Sequence, residues 1–288
     1  MNLILQSPSQ ALLLSQLQTK RKPRGIKASG QSENSFRARL RSLINQIQED
    51  INRILIPELK RRENEFVIAD SVNPQIITLD DLSGDSIRPI RERWVSPEFE
   101  LLAEQLALQF VTETNQINAR RVREDLNRFG INALEPDLRA YMEEAVSDNV
   151  RLIKSISSQY LDNVESVVSA NVRAGNRSTI IAKQLIQSHG VSVNRAKFIA
   201  RDQTAKLNAD LSKRRHLSAG FEYFRWIDSK DIRVRSRHRN IAKRKTKYGI
   251  GIYRYDELPL SDSGQPIFPG HDYQCRCIAQ PVLPSEIN

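Results

Sequence analysis

The chain has 288 residues, with 44 Lys and Arg against 34 Asp and Glu and a formal net charge of +10. That length buries a sizeable core in one elongated or, as we expect, two ordinary domains, and the basic balance points to an acidic partner, either nucleic acid or a membrane surface. The two cysteines, Cys275 and Cys277, stand one residue apart, which excludes a disulfide framework because a bridge between such neighbours closes a strained small ring.

Residues 1–32 read as a flexible basic arm. Its apolar stretches are interrupted by Gln, Ser and Pro8, and Lys20, Arg21, Lys22, Arg24 and Lys27 have no acid among them. These stretches are too short and broken for a signal peptide or a membrane span. Phe36, Leu40, Leu43, Ile44, Ile47, Ile51, Ile54 and Leu55 then recur at steps of three and four, which predicts one helix ending before Pro57. Residues 64–93 carry Asn73-Pro74, Ser83-Gly84 and Arg88-Pro89 and read as a connector with a short strand at 76–79.

Ser96-Pro97-Glu98 supplies a cap, a first-turn proline and an acid at the positive dipole end, so a helix is predicted from there to Gly130. A further helix spans about 136–173 before Gly175, and two shorter ones, 178–189 and 194–218, are closed by Gly190 and Gly220. After Gly220 the aromatic run 221–227 predicts a strand, with a second at 275–280 to pair with it. The expected fold is α+β: an elongated, mainly helical N-terminal body over 33–175, and a small C-terminal α+β domain over 176–288.

Chemistry-bearing residues gather in that last domain. His238, His271, Cys275 and Cys277 could close a tetrahedral zinc site, because Zn²⁺ favours thiolate and imidazole, and Cys-x-Cys places both sulfurs on one face of a strand. The alternative is metal-free, with the thiols packed as small hydrophobes and His271 in a turn. From Arg225 to Lys247 ten Lys or Arg face only Asp228 and Asp231. Arg233, Arg235, Arg237 and Arg239, extended on one face, with Lys243, Arg244, Lys245 and Lys247, could follow the backbone of double-stranded DNA without reading its sequence. Nucleophile-elbow, phosphate-loop and dinucleotide motifs are missing from the sequence, and a hydrolytic zinc site lacks a neighbouring base, so no catalytic residue and no small-molecule substrate are expected.

In order, Ile199-Ala200-Arg201-Asp202-Gln203-Thr204, Ala219-Gly220, Arg225-Trp226-Ile227-Asp228, Asp231-x-Arg233-x-Arg235-x-x-His238, Pro269-Gly270-His271, Cys275-Arg276-Cys277 and Pro281-Val282 resemble the phage Mu F-like minor head protein family. The resemblance covers roughly the last third of the chain. It implies a non-enzymatic protein of a tailed phage or prophage virion that takes part in head morphogenesis inside the capsid at the portal vertex. It further implies that the helical body meets the portal protein and that the basic segment touches packaged DNA. On the family's motifs, Arg201, Asp202 and Thr204 brace the C-terminal unit, Arg233, Arg235 and His238 form the basic motif, and His271, Cys275 and Cys277 form the closing one. Two rivals stay open: a nuclease or toxin-like enzyme using His238 or His271 as acid and base, and a scaffold whose cations meet an acidic partner protein.

Overall fold

The computed structural model describes residue 14, residues 21–69 (side chains to 63) and residues 87–287. The strand expected at 76–79 lies outside them. The described elements are α1 (Gly30–Asp50), a π-turn (Ile51–Leu55), α2 (Ile56–Ala69), a short helical segment at 87–93, α3 (Pro97–Asn127), α4 (Arg139–Arg173) and α5 (Ser178–Ser218). They continue as β1 (Tyr223–Ile227), α6 (Ser236–Lys243), β2 (Lys245–Thr246), β3 (Gly249–Ile250), β4 (Ile252–Arg254), β5 (Ile278–Pro281) and a 3₁₀ turn (Pro284–Glu286). The fold is a mainly helical body with a small C-terminal sheet. No helix among the described residues is long and apolar enough to cross a membrane.

Two compact units form, and each is discontinuous in sequence. One comprises Asn34–Gln109 and Val146–Ala200; the other comprises Met1–Glu33, Phe110–Ala145 and Arg201–Asn288. Helices α3, α4 and α5 each contribute one part to each unit.

The first unit is a helical core. Phe36, Leu40, Leu43, Ile44, Ile47, Ile51 and Leu55 are fully buried, as the three-four spacing requires. The helix does not stop at Pro57, however. A π-turn precedes the proline, with the Ile56 N–H reaching back to the Ile51 carbonyl, and this wider turn carries the chain into α2. Tyr160 on α4 donates its hydroxyl to Gln48 on α1. Asp50, almost fully buried, accepts hydrogen bonds from Arg53 (2.7 Å), Arg93 (2.9 Å) and the Trp94 indole (3.0 Å), so its charge is met on three sides. The Ser96 hydroxyl accepts the Phe99 N–H at 3.3 Å, the predicted cap. Gly190 stops nothing: α5 runs through it, since an interior glycine costs a helix only about 1 kcal/mol and Ile181, Leu185, Ala196 and Ala200 are all buried in this unit.

The second unit holds the sheet, in the order β4-β1-β5, all antiparallel. Trp226 pairs with Ala279, and Arg225 with both Ile252 and Gln280. Phe224 is the centre of an aromatic cluster, with the rings of Tyr255, Phe268 and Tyr253 at 5.0, 5.1 and 6.0 Å. Beneath it lies a buried polar network. Arg215, 3% exposed, donates to Asn118 (2.7 Å), Asn115 (2.6 Å) and the Glu135 carboxylate; the Asn118 amide donates to Asn208 and Ser212, and the Asn208 amide to the Ile26 carbonyl. The described part of the expected arm is thereby tied down. The Arg24 N–H donates to Asp125 at 2.7 Å and the Gln280 side chain to the Pro23 carbonyl at 2.6 Å.

Gly251 joins the hairpin to the sheet. It has φ +65°, and a Cβ there would lie 2.4 Å from the Ala242 carbonyl oxygen, while its own carbonyl accepts the Trp226 N–H at 2.8 Å. Gly251→Ala is expected to destabilise the protein by more than the roughly 1–2 kcal/mol of a left-handed L-residue alone, read as a fall in melting temperature; an unchanged melt would contradict the tight approach.

Candidate functional site

Two segments, α6 and the turn before β5, bring three ligand atoms together. His238 lies in the first turn of α6, where its N–H bonds the Arg235 carbonyl. Cys275 and Cys277 come from the turn before β5, not from a strand as the alternation suggested: Gln274 is left-handed at φ +55°, and the Cys275 N–H bonds the Asp272 carbonyl at 2.9 Å. Asp202 on α5 locks this turn by accepting the Gln274 N–H at 2.7 Å. Gly270, at φ +96°, lets the turn approach α5 so closely that a Cβ would sit 2.8 Å from that of Ala209.

His238 Nδ1 lies 3.6 Å from each sulfur, and all three ligand atoms fall within 4.8 Å of one another. All three side chains are buried. Zinc bonds of about 2.3 Å to sulfur and about 2.1 Å to nitrogen, at tetrahedral angles, separate the two atoms by about 3.6 Å, so both sulfur–nitrogen edges have the length of a metal site. The donor chemistry agrees. The Cys277 N–H points at the Cys275 sulfur, 3.4 Å away. A hydrogen bond from the Cys277 thiol is the largest influence on Cys275; with His238 and the Cys277 and Gly270 amides it outweighs burial and holds Cys275 well below the usual thiol range. The same sharing, with burial, pushes Cys277 up, while the Trp226 indole N–H favours its thiolate. That N–H is buried without a conventional hydrogen-bond partner among the described residues, and the indole ring stands edge-on to His238 at 5.4 Å.

His238 is oriented from behind. Its Nε2 lies 3.1 Å from Asp272 Oδ2, so that with a metal bound Nε2–H would donate to the carboxylate and Nδ1 would be free to coordinate. Asp272 is itself gripped by Arg237 and by Arg235 at 3.4 Å. Burial alone would raise the Asp272 carboxyl, but the Arg237 hydrogen bond and the two guanidinium charges hold it below the ordinary range.

His271 stands apart from the other three expected ligands. Its side chain is 40% exposed, and its Nε2 pairs with Asp210 at 2.7 Å; Asp210 also accepts the Tyr141 hydroxyl. The three residues between His271 and Cys275 form the turn that aims the cysteines inward and leave His271 on its outer side. His216 is elsewhere again, buried against Phe221 and bonded through Nδ1 to Tyr255 at 2.9 Å. Burial, then the Arg215 charge, pushes its pKa down to about 3.

The basic segment forms no extended row, because Ser236 starts a helix. Arg235 and Arg237 serve Asp272, Arg239 donates to the Asp231 and Ile232 carbonyls at 3.1 Å, and Lys247 pairs with Glu257 at 3.4 Å. Lys243, Arg244 and Lys245 are exposed and make no ion pair among the described residues; Arg233 is exposed beside Asp231. Three contributors escaped sequence reasoning as site residues: Asp202, Trp226 and Asp272. Asp202 and Trp226 stood inside the quoted motifs and Asp272 between two of them, but only the fold places them at the cysteines.

Fold and site together define a helical protein closed at its C-terminal sheet by a buried His–Cys–Cys cluster. Residues 162–280, the segment that builds this closure, match the family described as Phage Mu protein F like protein. The chain is also 30% identical over 283 residues to an uncharacterized protein of Haemophilus influenzae, an alignment that covers 94% of the chain and 58% of the relative. The chain thus spans less than two thirds of that relative's length. No solved structure matches.

The buried neutral His216 gives a pH test. Its folded pKa of about 3 lies below the 6.5 of the free side chain, so between those values the unfolded chain binds a proton that the native state excludes. Its contribution is complete above pH 6.5 and is lost as pH falls toward 3, by up to about 1.4 kcal/mol per unit. In His216→Gln that part of the pH dependence of denaturant midpoints should disappear; an identical profile would contradict it.

Proposed function

We propose that this chain is a minor head protein of a tailed phage or prophage, a structural component of the virion that takes part in head morphogenesis inside the capsid at the portal vertex. The observation that carries the proposal is the coincidence of the Mu F-like match with the one buried ligand cluster found among the described residues. The helical unit of Asn34–Gln109 and Val146–Ala200 is the surface we assign to the portal protein. The catalytic rival is disfavoured at His238, which is 2% exposed and has both ring nitrogens engaged.

Zinc is the second part of the proposal. A metal bound only in the folded state adds its binding free energy to folding, beside that of the aromatic core around Phe224. His238, Cys275 and Cys277 would hold it, and Asp272 would fix the imidazole. We expect one zinc per chain after purification without chelator, a lower melting temperature on chelation, and loss of both in Cys275→Ser. Zinc-free protein with an unaltered melt would sink the metal.

The third part is non-specific contact with the backbone of packaged double-stranded DNA, through the cations not already committed inside the fold. Replacing Lys243, Arg244 and Lys245 with alanine should weaken duplex binding equally for unrelated sequences. It should also flatten the slope of log affinity against log salt by about 2.7, at about 0.9 per phosphate contact. Binding that is absent, or indifferent to salt, would instead favour the scaffold, whose cations meet an acidic protein.

A further inference from the structure

Cys275 and Cys277, but not His238, are among the residues that line a cavity of about 470 Å³, within the range that accepts a small ligand. Three protein ligands leave one corner of a zinc tetrahedron unfilled. His238 backs onto Asp272, whereas Cys275 and Cys277 face the cavity, so the remaining corner opens on the cavity side. Among the charged groups of its wall, Lys27, Arg201 and Lys230 outnumber Glu33 and Asp228, while Arg276 is neutralised by Asp231. The Arg201 side chain is half-buried and makes no hydrogen bond or ion pair among the described residues. Asp228, the nearest rival for the corner, stands outside the cluster of mutually close ligand atoms and accepts the Lys230 N–H at 2.9 Å.

We propose that this cavity binds a phosphate group, one oxygen of which completes the metal's coordination while the Arg201 guanidinium holds the others. The charges support an anion there. Zn²⁺ with two thiolates and a neutral imidazole carries no net charge, so the wall's excess of cations is unopposed. A half-buried guanidinium prefers a planar, bidentate oxyanion partner, and phosphate presents one while leaving an oxygen for the metal. Free phosphate and the terminal phosphate of a DNA strand share this chemistry. The proposal rests on zinc being held by His238, Cys275 and Cys277.

The test uses the full chain loaded with Co²⁺ in place of zinc, whose visible ligand-field bands report the fourth ligand. Inorganic phosphate, against chloride at matched ionic strength, should shift these bands saturably. Arg201→Ala should weaken the response about tenfold or more, with Arg201→Lys recovering part of it. A 5′-phosphorylated oligonucleotide that shifts the bands where its unphosphorylated twin does not would identify a strand end as the source; a response to inorganic phosphate alone would identify the free ion. Tetrahedral bands indifferent to every phosphate would overturn the proposal and leave the zinc site standing, and their change in Asp228→Ala would show that this carboxylate closes the site. If cobalt–thiolate bands never form, the metal site falls and the phosphate site with it.

Discussion

The Asp272 carboxylate is the constraint on which the C-terminal sheet unit depends. It accepts from Arg237, faces Arg235 and fixes the His238 ring, while its own carbonyl starts the turn that presents Cys275. One residue therefore couples the basic segment to the cysteine turn. The charge of this partly buried carboxylate is met by cations and an imidazole N–H. Arg235 and Arg237, which read as cationic surface in the sequence, are thereby committed inside the fold.

The cysteine turn is held from a second side by α5. Asp202 accepts the Gln274 N–H, and Gly270 permits van der Waals approach to Ala209. With Trp226 packed edge-on against His238 from β1, the cluster is gripped by a helix, a strand and a turn at once. Ligand groups positioned before any ion arrives lose little freedom when it binds, and a buried imidazole nitrogen 3.6 Å from each of two sulfurs is more than apolar packing of two thiols would require.

Much of this was legible in the chain. The period of α1, the Ser96 cap, and the left-handed glycines 130, 175 and 220 follow from local rules and stand where expected. So do β1 and its pairing with a strand near the cysteines. Pro57 and Gly190 misled because propensity is a weak prior beside burial: a π-turn absorbs the proline, and a well-packed helix carries the glycine. The hairpin and β4 were missed although Ile250, Ile252 and Tyr253 carry a strand signal, because the surrounding Lys and Gly residues read as turn. At the site, Cys-x-Cys and His238 were visible as donor types. Their separation from His271, and the roles of Asp202 and Asp272, depend on contacts across 34 to 72 residues that no local pattern records.

The central claim is that two sulfurs and one imidazole of this chain share a metal ion. X-ray absorption at the zinc edge of the purified full-length protein tests it most directly. The account predicts a shell of two sulfurs at about 2.3 Å with one imidazole nitrogen and one oxygen at about 2.0–2.1 Å, and loss of sulfur scattering in Cys277→Ser. Zinc surrounded only by nitrogen and oxygen, or no stoichiometric zinc at all, would contradict it.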